Sequence, residues 1–505
     1  MTVPLLVVAA LRSEYGALRG IGPDTVLARC GMGPTRVQQW LPQLEQLAPG
    51  AVAVAGVAGG LDPALRPGDV VVATEVRDES GRTALRGAAP LVAELRRRGM
   101  RVRTGPVVST DHIVTSRAER DRLLAAGAIA VDMESAAIVR AVRALPGSPV
   151  PVAVVRVIVD TAYTPIARLR TLPAGAKALG TLRQVGPALR RWADLAAPRT
   201  VLLAEPRSFC AGVERAIEIV ETALRRYSRP LYVRRQIVHN AHIVENLERQ
   251  GVVFVDELDE VPDGTTVVFS AHGVAPAVRD EAARRELNVI DATCPLVAKV
   301  HTEARRFVAR GESVLLVGHA GHDEVEGTMG EAPGRITLVQ DAAEAATVEI
   351  EDPGRVAYVL QTTLGVDDAA ATVAELRRRF PTIASSPTDD ICYATTNRQR
   401  AVTALLPDAD VLLVIGSPNS SNSQRLVEVA HAAGTPAYLV EDATDVLPEW
   451  LVGAATVGLT AGASAPPYLV DELVETLREL GPVHVVERVV TREDVTFTLP
   501  RGVAG

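Results

Sequence analysis

Three cysteines in the second half of the sequence each stand where a strand-like run gives way to a helix-like one. Cys294 lies in VIDATCPLVAKVH, between LNVID and LVAKVHTEARRFVAR, whose Leu296, Val297, Val300, Ala304, Phe307 and Val308 fall on one helical face. Pro295 takes the first helical position, which suits a residue without an amide hydrogen. Cys210 follows TVLLAEP and opens AGVERAIEIVETAL, and Cys392 precedes YATTNRQRAVTALL. A thiol at a helix N-terminus faces the positive end of the dipole, which favours the metal-binding thiolate. A lone cysteine there is more simply a small buried hydrophobe. Three in equivalent places point instead to ligands. They are too far apart for a local zinc module, so they can meet only through tertiary structure. Three protein thiolates leave a fourth coordination position open, as a catalytic centre requires.

Other polar residues end neighbouring strand-like runs. His239, His272 and His322 stand in VHN, SAHG and GHDE; Ser420, Ser421, Asn422 and Ser464 stand in NSSNS and GASAP. Imidazoles, hydroxyls and amides gathered beside helix N-termini can donate several hydrogen bonds to an anion such as a diphosphate. Glu324, two residues past His322, is the candidate acid–base group, and Thr362 of QTT can join it through its hydroxyl. Many strand ends aimed at one centre imply α/β lobes around a cavity.

The first region alternates strand-like runs (PLLVVAA, TVLARCG, AVAVAGVAGG, DVVVATEV, RVRTGPVVS, AIAVDM, VPVAVVRVIVD) with helical ones, and a helical tail from about Ala174 to Leu195 closes it. Glycines and polar residues gather at the strand ends, where open α/β sheets bind ligands. Three acids stand out: Glu14 after the first strand, Glu134 in VDMES and Asp160 at the end of VVRVIVD. Carboxylates suit N-glycosidic cleavage. One can bind ribose hydroxyls as the sugar becomes cationic; another, kept protonated by burial, can donate to purine N7. Cys30 lies in this region and is expected to pack beside its strand, outside any metal site.

At 505 residues the chain calls for two or more domains. The division is expected at 1–197 and 198–505, with lobes of the second part at about 200–291, 292–381 and 382–465 and a C-terminal return. Hydrophobic residues at 47% and charged residues at 23% describe a soluble globular chain. A net charge of −8 with 3% aromatics argues against nucleic acid as partner. No run is apolar enough for a membrane span, the N-terminus enters a strand directly, and four cysteines make no disulfide framework, so a reducing cytoplasm is expected.

From about Thr200 onward the blocks FCAGVERAI, VHN, SAHG, DATCPLV, GHAGHDEVEGTMG, QTT, ICYATTNRQ, GSPNSSNS and TAGASAP resemble the IspH/LytB family of hydroxymethylbutenyl diphosphate reductases. The resemblance implies a pseudo-threefold α/β fold. It also implies a [4Fe–4S] cluster on Cys210, Cys294 and Cys392, and a diphosphate site of His239, His272, Ser420, Asn422 and Ser464, lined further by Ser421 and His322. The implied reaction is reductive dehydroxylation of 4-hydroxy-3-methylbut-2-enyl diphosphate to isopentenyl and dimethylallyl diphosphate. In it Glu324, assisted by Thr362, helps water leave, and a ferredoxin or flavodoxin with its reductase supplies electrons.

The first region, through CGMGPT, GVAGGLDPALRPGDVVV and AVDMES, resembles the nucleoside phosphorylase and nucleosidase superfamily, and within it most the hopanoid-associated phosphorylases, which remove adenine from adenosylhopane. This implies Glu134 on the ribose, Asp160 as the acid and Glu14 as the residue activating water. The expected whole is an α/β nucleoside-phosphorylase-like domain fused to a three-lobed α/β iron–sulfur reductase. The rival readings are a hydro-lyase with no need of a reductant, and a non-catalytic N-terminal docking module that releases no base.

Overall fold

A computed structural model of the chain describes residues 5–146, 150–161, 171–500 and 503. Two compact units emerge: Met1–Val201 with Asp442–Val457 and Asp471–Val486, and Leu202–Glu441 with Gly458–Val470 and Glu487–Gly505. The stretches 442–457 and 471–486 thus group with the first unit and not with their sequence neighbours.

The first unit is built on eight strands: β1 (Leu5–Ala9), β2 (Thr25–Arg29), β3 (Ala51–Gly60), β4 (Val70–Asp78), β5 (Gly81–Ala84), β6 (Val102–Ser109), β7 (Ala130–Asp132) and β8 (Val152–Asp160). β1 and β2 extend the sheet from one edge of β3. The pairings β3–β7, β7–β6, β6–β4, β4–β8 and β8–β3 close a ring of five strands, which removes their free edges. β1 and most of β3, β4 and β8 read as continuous Val/Ala/Leu runs because they are buried on both faces. Val8, Trp40, Val54, Ile138 and Val154 share one core. Each such fully buried aliphatic side chain contributes about 1.5–3 kcal/mol. The long helix Thr171–Ala193 covers the region predicted as the helical tail, and its Trp192 Nε1 donates to the Gly87 carbonyl at 2.7 Å.

The second unit holds three sheets with one shared pattern. In the first, Leu231–Arg234 lies between Val252–Val255 and Thr266–Phe269, and Asn288–Asp291 follows on the far side; all pairs are parallel. The second repeats it with Ser313–Val317 between Ile336–Val339 and Val356–Leu360, then Ala384–Ser385. The third runs Ala437–Val440, Val411–Ile415, Thr456–Ala461, Arg199–Glu205, Val483–Val489. Here the expected lobe boundaries need correction. Arg199–Glu205 belongs to the third lobe's sheet and not to the first lobe, and Ala384–Ser385 belongs to the second. The fourth strand of the third lobe comes from the start of the region, so that lobe is a circular permutation of the other two. A strand pairs wherever a sheet offers an open edge, and that edge need not be its sequence neighbour's.

Among the described residues no helix is long and apolar enough to cross a membrane.

Candidate active sites

The shared strand pattern fixes where chemistry can occur in the second unit. In each lobe the inner strand leads into one donor motif: Leu231–Arg234 into His239, Ser313–Val317 into His322, Val411–Ile415 into Ser420. The next strand leads into a second: Thr266–Phe269 into His272, Val356–Leu360 into Thr362, Thr456–Ala461 into Ser464. The fourth leads into a cysteine. Cys294, Cys392 and Cys210 cap the helices Pro295–Ala309, Tyr393–Leu405 and Ala211–Arg226. The backbone amide of each cysteine is held by the second motif of its own lobe: Cys294 N donates to Ala271 O at 3.0 Å, Cys392 N to Thr362 O at 2.9 Å and Cys210 N to Ala463 O at 3.2 Å.

All three sulfurs line one cavity of about 110 Å3, together with His239, His272, His322, Glu324, Thr362, Ser420, Ser421, Asn422 and Ser464. Gly212 is required beside them: a Cβ there would sit 2.7 Å from Cys294 Sγ and 3.8 Å from Cys210 Sγ. Burial pushes the Cys294 thiol up to about 11, although the amides of Leu296 and Val297 pull it down; Cys392 is pushed to about 12 by burial and by its neighbouring sulfurs. For Cys294 and Cys392 the helix amides act in the direction expected of the dipole but are outweighed by burial, and a cationic centre bound by the sulfurs would favour the thiolates.

Glu324 is buried, and Thr362 meets both its oxygens: the amide donates to Oε1 at 2.7 Å and Oγ1 to Oε2 at 3.0 Å. Burial outweighs these bonds and pushes the carboxyl up to about 7. The imidazoles of His239 and His272 stack at 4.0 Å, with His322 edge-on to both. Burial lowers all three, His322 to about 4, so they are neutral near pH 7. The Glu324 amide donates to His322 Nδ1 at 3.2 Å, which leaves the Nε2 hydrogen of His322 as the free donor. Ser420 caps the helix Ser421–Ala432, and Asn422 Oδ1 accepts from Ala463 N at 2.9 Å. Ser464 Oγ donates to His239 O at 2.9 Å.

In the first unit, Glu14 and Glu134 line a second cavity, of about 140 Å3, with Met32, Val57, Gly59, Ile113, Arg120, Asp132 and Met133. Glu14 is clamped by backbone amides: Oε2 accepts from Ala10 and Leu11 at 2.9 and 2.7 Å, and Oε1 from Val57 at 2.7 Å. Glu134 Oε1 accepts from Gly33 N at 3.0 Å. Burial pushes the Glu134 carboxyl up, against the pull of Arg156, whose Nη2 is 3.6 Å from Oε2. Asp160 ends β8 as expected, but its Oδ2 is held by Arg120 Nη2. Burial raises its carboxyl while Arg120 opposes the rise. Cys30 packs in the core and its Sγ donates to Gly31 O at 3.3 Å.

Three contributors were not singled out from the sequence. Arg156 bonds Asp132 at 2.8 Å and Ser135 Oγ at 2.8 Å, fixing the loop that carries Glu134; a lone arginine inside VAVVRVIVD was a visible signal. Arg398 is fully buried and donates to Ser208 O at 2.7 Å and Phe209 O at 3.2 Å, just before Cys210. Arg120, one of several arginines in its helix, carried no signal at all.

A three-lobed α/β unit brings three thiols, a buried acid and a wall of imidazoles, hydroxyls and an amide onto one cavity, a set of groups able to hold a metal centre beside a small anion. Residues 201–478 match the family model described as LytB protein, and residues 15–178 match the Phosphorylase superfamily. The chain belongs to the LytB family and carries a phosphorylase-superfamily domain at its N-terminus. It is 56% identical over 301 residues to the 4-hydroxy-3-methylbut-2-enyl diphosphate reductase of Azoarcus sp., covering 60% of this chain and 96% of the relative. With the Mycobacterium bovis 4-hydroxy-3-methylbut-2-enyl diphosphate reductase 2 it shares 54% identity over 323 residues, 63% of this chain and 98% of the relative. The solved E-1-hydroxy-2-methyl-but-2-enyl-4-diphosphate reductase of Plasmodium falciparum is 35% identical, with a TM-score of 0.59 over 61% of this chain and 97% of that one.

Proposed function

We propose that the second unit reduces 4-hydroxy-3-methylbut-2-enyl diphosphate to isopentenyl and dimethylallyl diphosphate. The observation that carries this reading is the convergence of Cys210, Cys294, Cys392, Glu324 and the histidine–serine–asparagine wall on one cavity. Three converging thiols suit a [4Fe–4S] cluster held by Cys210, Cys294 and Cys392; when bound, that group supplies the electrons for the reduction. The substrate takes up an electron pair and two protons and releases water. His239, His272, Ser420, Ser421, Asn422 and Ser464 hold the diphosphate, and His322 offers its Nε2 hydrogen beside them. The negative charge of the diphosphate favours protonation of imidazoles that burial otherwise keeps neutral. Glu324, protonated near neutral pH, gives its proton to the departing hydroxyl, and Thr362 fixes the direction of transfer. A ferredoxin or flavodoxin with its reductase is the electron donor, and a reducing cytoplasm is the compartment in which free thiols and such donors persist. The test is isoprenoid product formation by anaerobically prepared protein with a chemical reductant. Turnover without any reductant would favour the hydro-lyase.

The first unit cleaves an N-glycosidic bond. Glu134 holds the ribose, Asp160 serves as the acid toward purine N7 and Glu14 activates the attacking water. Glu14, Asp132 and Glu134 give the cavity an acidic lining, and among the described lining residues Arg120 is already bonded to Asp160 and His112 to Asp111 and Glu119. That lining disfavours phosphate and favours water as nucleophile. Met32 and Ile113 line the cavity with their side chains half exposed, which fits an apolar substituent on the ribose 5′ carbon. Adenosylhopane and shorter 5′-substituted adenosines are the substrates to test. Adenine release from them separates cleavage from a docking role.

A further inference from the structure

About one and a half turns into each of the three helices capped by a cysteine stands a buried or half-buried cation: Arg215 after Cys210, Lys299 after Cys294 and Arg398 after Cys392. Each donates to the chain just before the next cysteine. Arg215 Nη1 donates to Ala292 O at 3.3 Å and Thr293 O at 3.1 Å, the two residues before Cys294. Lys299 Nζ donates to Thr388 O at 3.2 Å, Asp389 O at 2.7 Å and Asp390 Oδ1 at 3.2 Å, on the approach to Cys392. Arg398 Nη2 donates to Ser208 O at 2.7 Å and Phe209 O at 3.2 Å, the two residues before Cys210. The order Cys210, Cys294, Cys392 thus closes on itself.

The amide of each cysteine is tied within its own lobe, whereas each cation ties one cysteine's segment to the helix that carries another. Geometry divides the task between the two residue types. Lys299, one of two lysines in the chain, meets three oxygens with a compact ammonium, while each guanidinium spans a pair of successive carbonyls. The three also differ in charge balance. Asp390 faces Lys299 at 3.2 Å and Glu493 faces Arg398 at 3.1 Å. Arg215 is only 9% exposed, and among the described residues it bonds carbonyls alone, its Nε going to Thr498 O at 2.8 Å. Asp291, which lines a surface cavity with it, is paired with Arg279 at 2.6 Å instead. A buried cation without a counter-charge of its own acts more strongly on its surroundings than a paired one.

We infer that Arg215, Lys299 and Arg398 form a closed ring of positioning residues that sets the three cysteine sulfurs against one another, and that Arg215 also favours negative charge on the centre those sulfurs hold. This rests on the reading of Cys210, Cys294 and Cys392 as iron–sulfur ligands.

The test uses the full chain, reconstituted with iron and sulfide under anaerobic conditions, and reads the rate of iron release to a chelator and the midpoint potential of the centre. Lys299→Met and Arg215→Met should each speed iron release by on the order of tenfold or more, the worth of a hydrogen bond to a charged group. The potential should move to more negative values, and further for Arg215→Met than for Lys299→Met, because the reduced form loses a cation that no carboxylate offsets. Arg215→Lys should restore the potential, since the charge returns, while iron release stays faster than in the wild type, since the fork of donors does not. Lys299 is half-buried, so its loss tests the ring even where a buried arginine variant fails to fold. Arg379→Met removes a donor to Ala345 O at 2.8 Å, outside the cysteine segments, and should leave both readouts at wild-type values. Wild-type iron release from both Met variants of the ring, an unchanged potential in Arg215→Met, or equal losses in Arg379→Met would leave these cations to general stability, and the inference falls while the cluster reading stands. If the wild-type protein takes up no iron, both fall.

Discussion

Thr362 meets both oxygens of the Glu324 carboxyl, one through its amide at 2.7 Å and the other through its hydroxyl at 3.0 Å. Glu324 stands in the first turn of the short helix Asp323–Met329 and Thr362 just past the strand Val356–Leu360, so the acid is held by a segment outside its own helix. Hydrogen bonds to the charged form should lower an acid, yet burial overrides them and leaves Glu324 titrating at about 7.

Turnover by the second unit should therefore fall as pH rises through about 7, where Glu324 loses the proton it must deliver. Glu324→Gln should lower turnover by about 10²-fold or more and abolish that limb. Thr362→Val removes a bond that favours the carboxylate, so the limb should move to higher pH. The pH–rate profiles of the three proteins check this; a limb unchanged in Glu324→Gln would assign it to another group.

Iron content should separate the four cysteines. Cys210→Ser, Cys294→Ser and Cys392→Ser each remove one of three converging sulfurs and should abolish or severely weaken cluster assembly. Cys30→Ser, altered in the core of the other unit, should retain iron. Metal analysis and visible absorption of anaerobically purified variants decide it.

Arg398 braces the segment before Cys210 by donating to Ser208 O and Phe209 O, and it pairs with Glu493 at 3.1 Å. Arg398→Met leaves the Ser208 and Phe209 carbonyls without this donor, while the half-buried Glu493 keeps its bond from Asn397 Nδ2 at 3.0 Å. We expect a loss of about 1–3 kcal/mol in the unfolding transition of the second unit, with iron binding impaired. Arg398→Lys should recover little, because one ammonium cannot reproduce the planar fork. Denaturant unfolding of the metal-free protein measures both.

Glu134→Gln and Glu14→Gln should each suppress base release while the reductase activity continues, since both residues line the cavity of the first unit. The two should differ in kind. Loss of the ribose contact of Glu134 weakens a hold that strengthens in the transition state and so lowers kcat, while Glu14→Gln should leave substrate binding close to normal. Adenine release from a 5′-substituted adenosine, assayed over a range of substrate concentrations, distinguishes them.

Much of this was legible in the sequence because motif and strand end coincide in parallel α/β sheets. Cys210, Cys294 and Cys392 were placed at helix starts by periodicity alone, and the donors in VHN, SAHG, GHDE, QTT, NSSNS and GASAP fall on one cavity. What was not legible depends on contacts remote in sequence. Nothing in TVLLAEP shows that this strand completes the third lobe's sheet, because the open edge it fills lies about 250 residues away along the chain. The helix amides pull the Cys294 and Cys392 thiols down, as their place at helix starts implies, but the burial that opposes them belongs to the assembled fold and has no local signal. Arg120 could not be told from its neighbours in SRAERDRLL until the fold set it against Asp160.

The central claim is tested most directly by incubating anaerobically purified, iron-loaded protein with 4-hydroxy-3-methylbut-2-enyl diphosphate and a low-potential reductant, then identifying the products. Isopentenyl and dimethylallyl diphosphate should form only with the reductant, and the Cys294→Ser protein should form neither. Consumption of the substrate without reductant, or no reduced product from protein carrying its full iron, would contradict it.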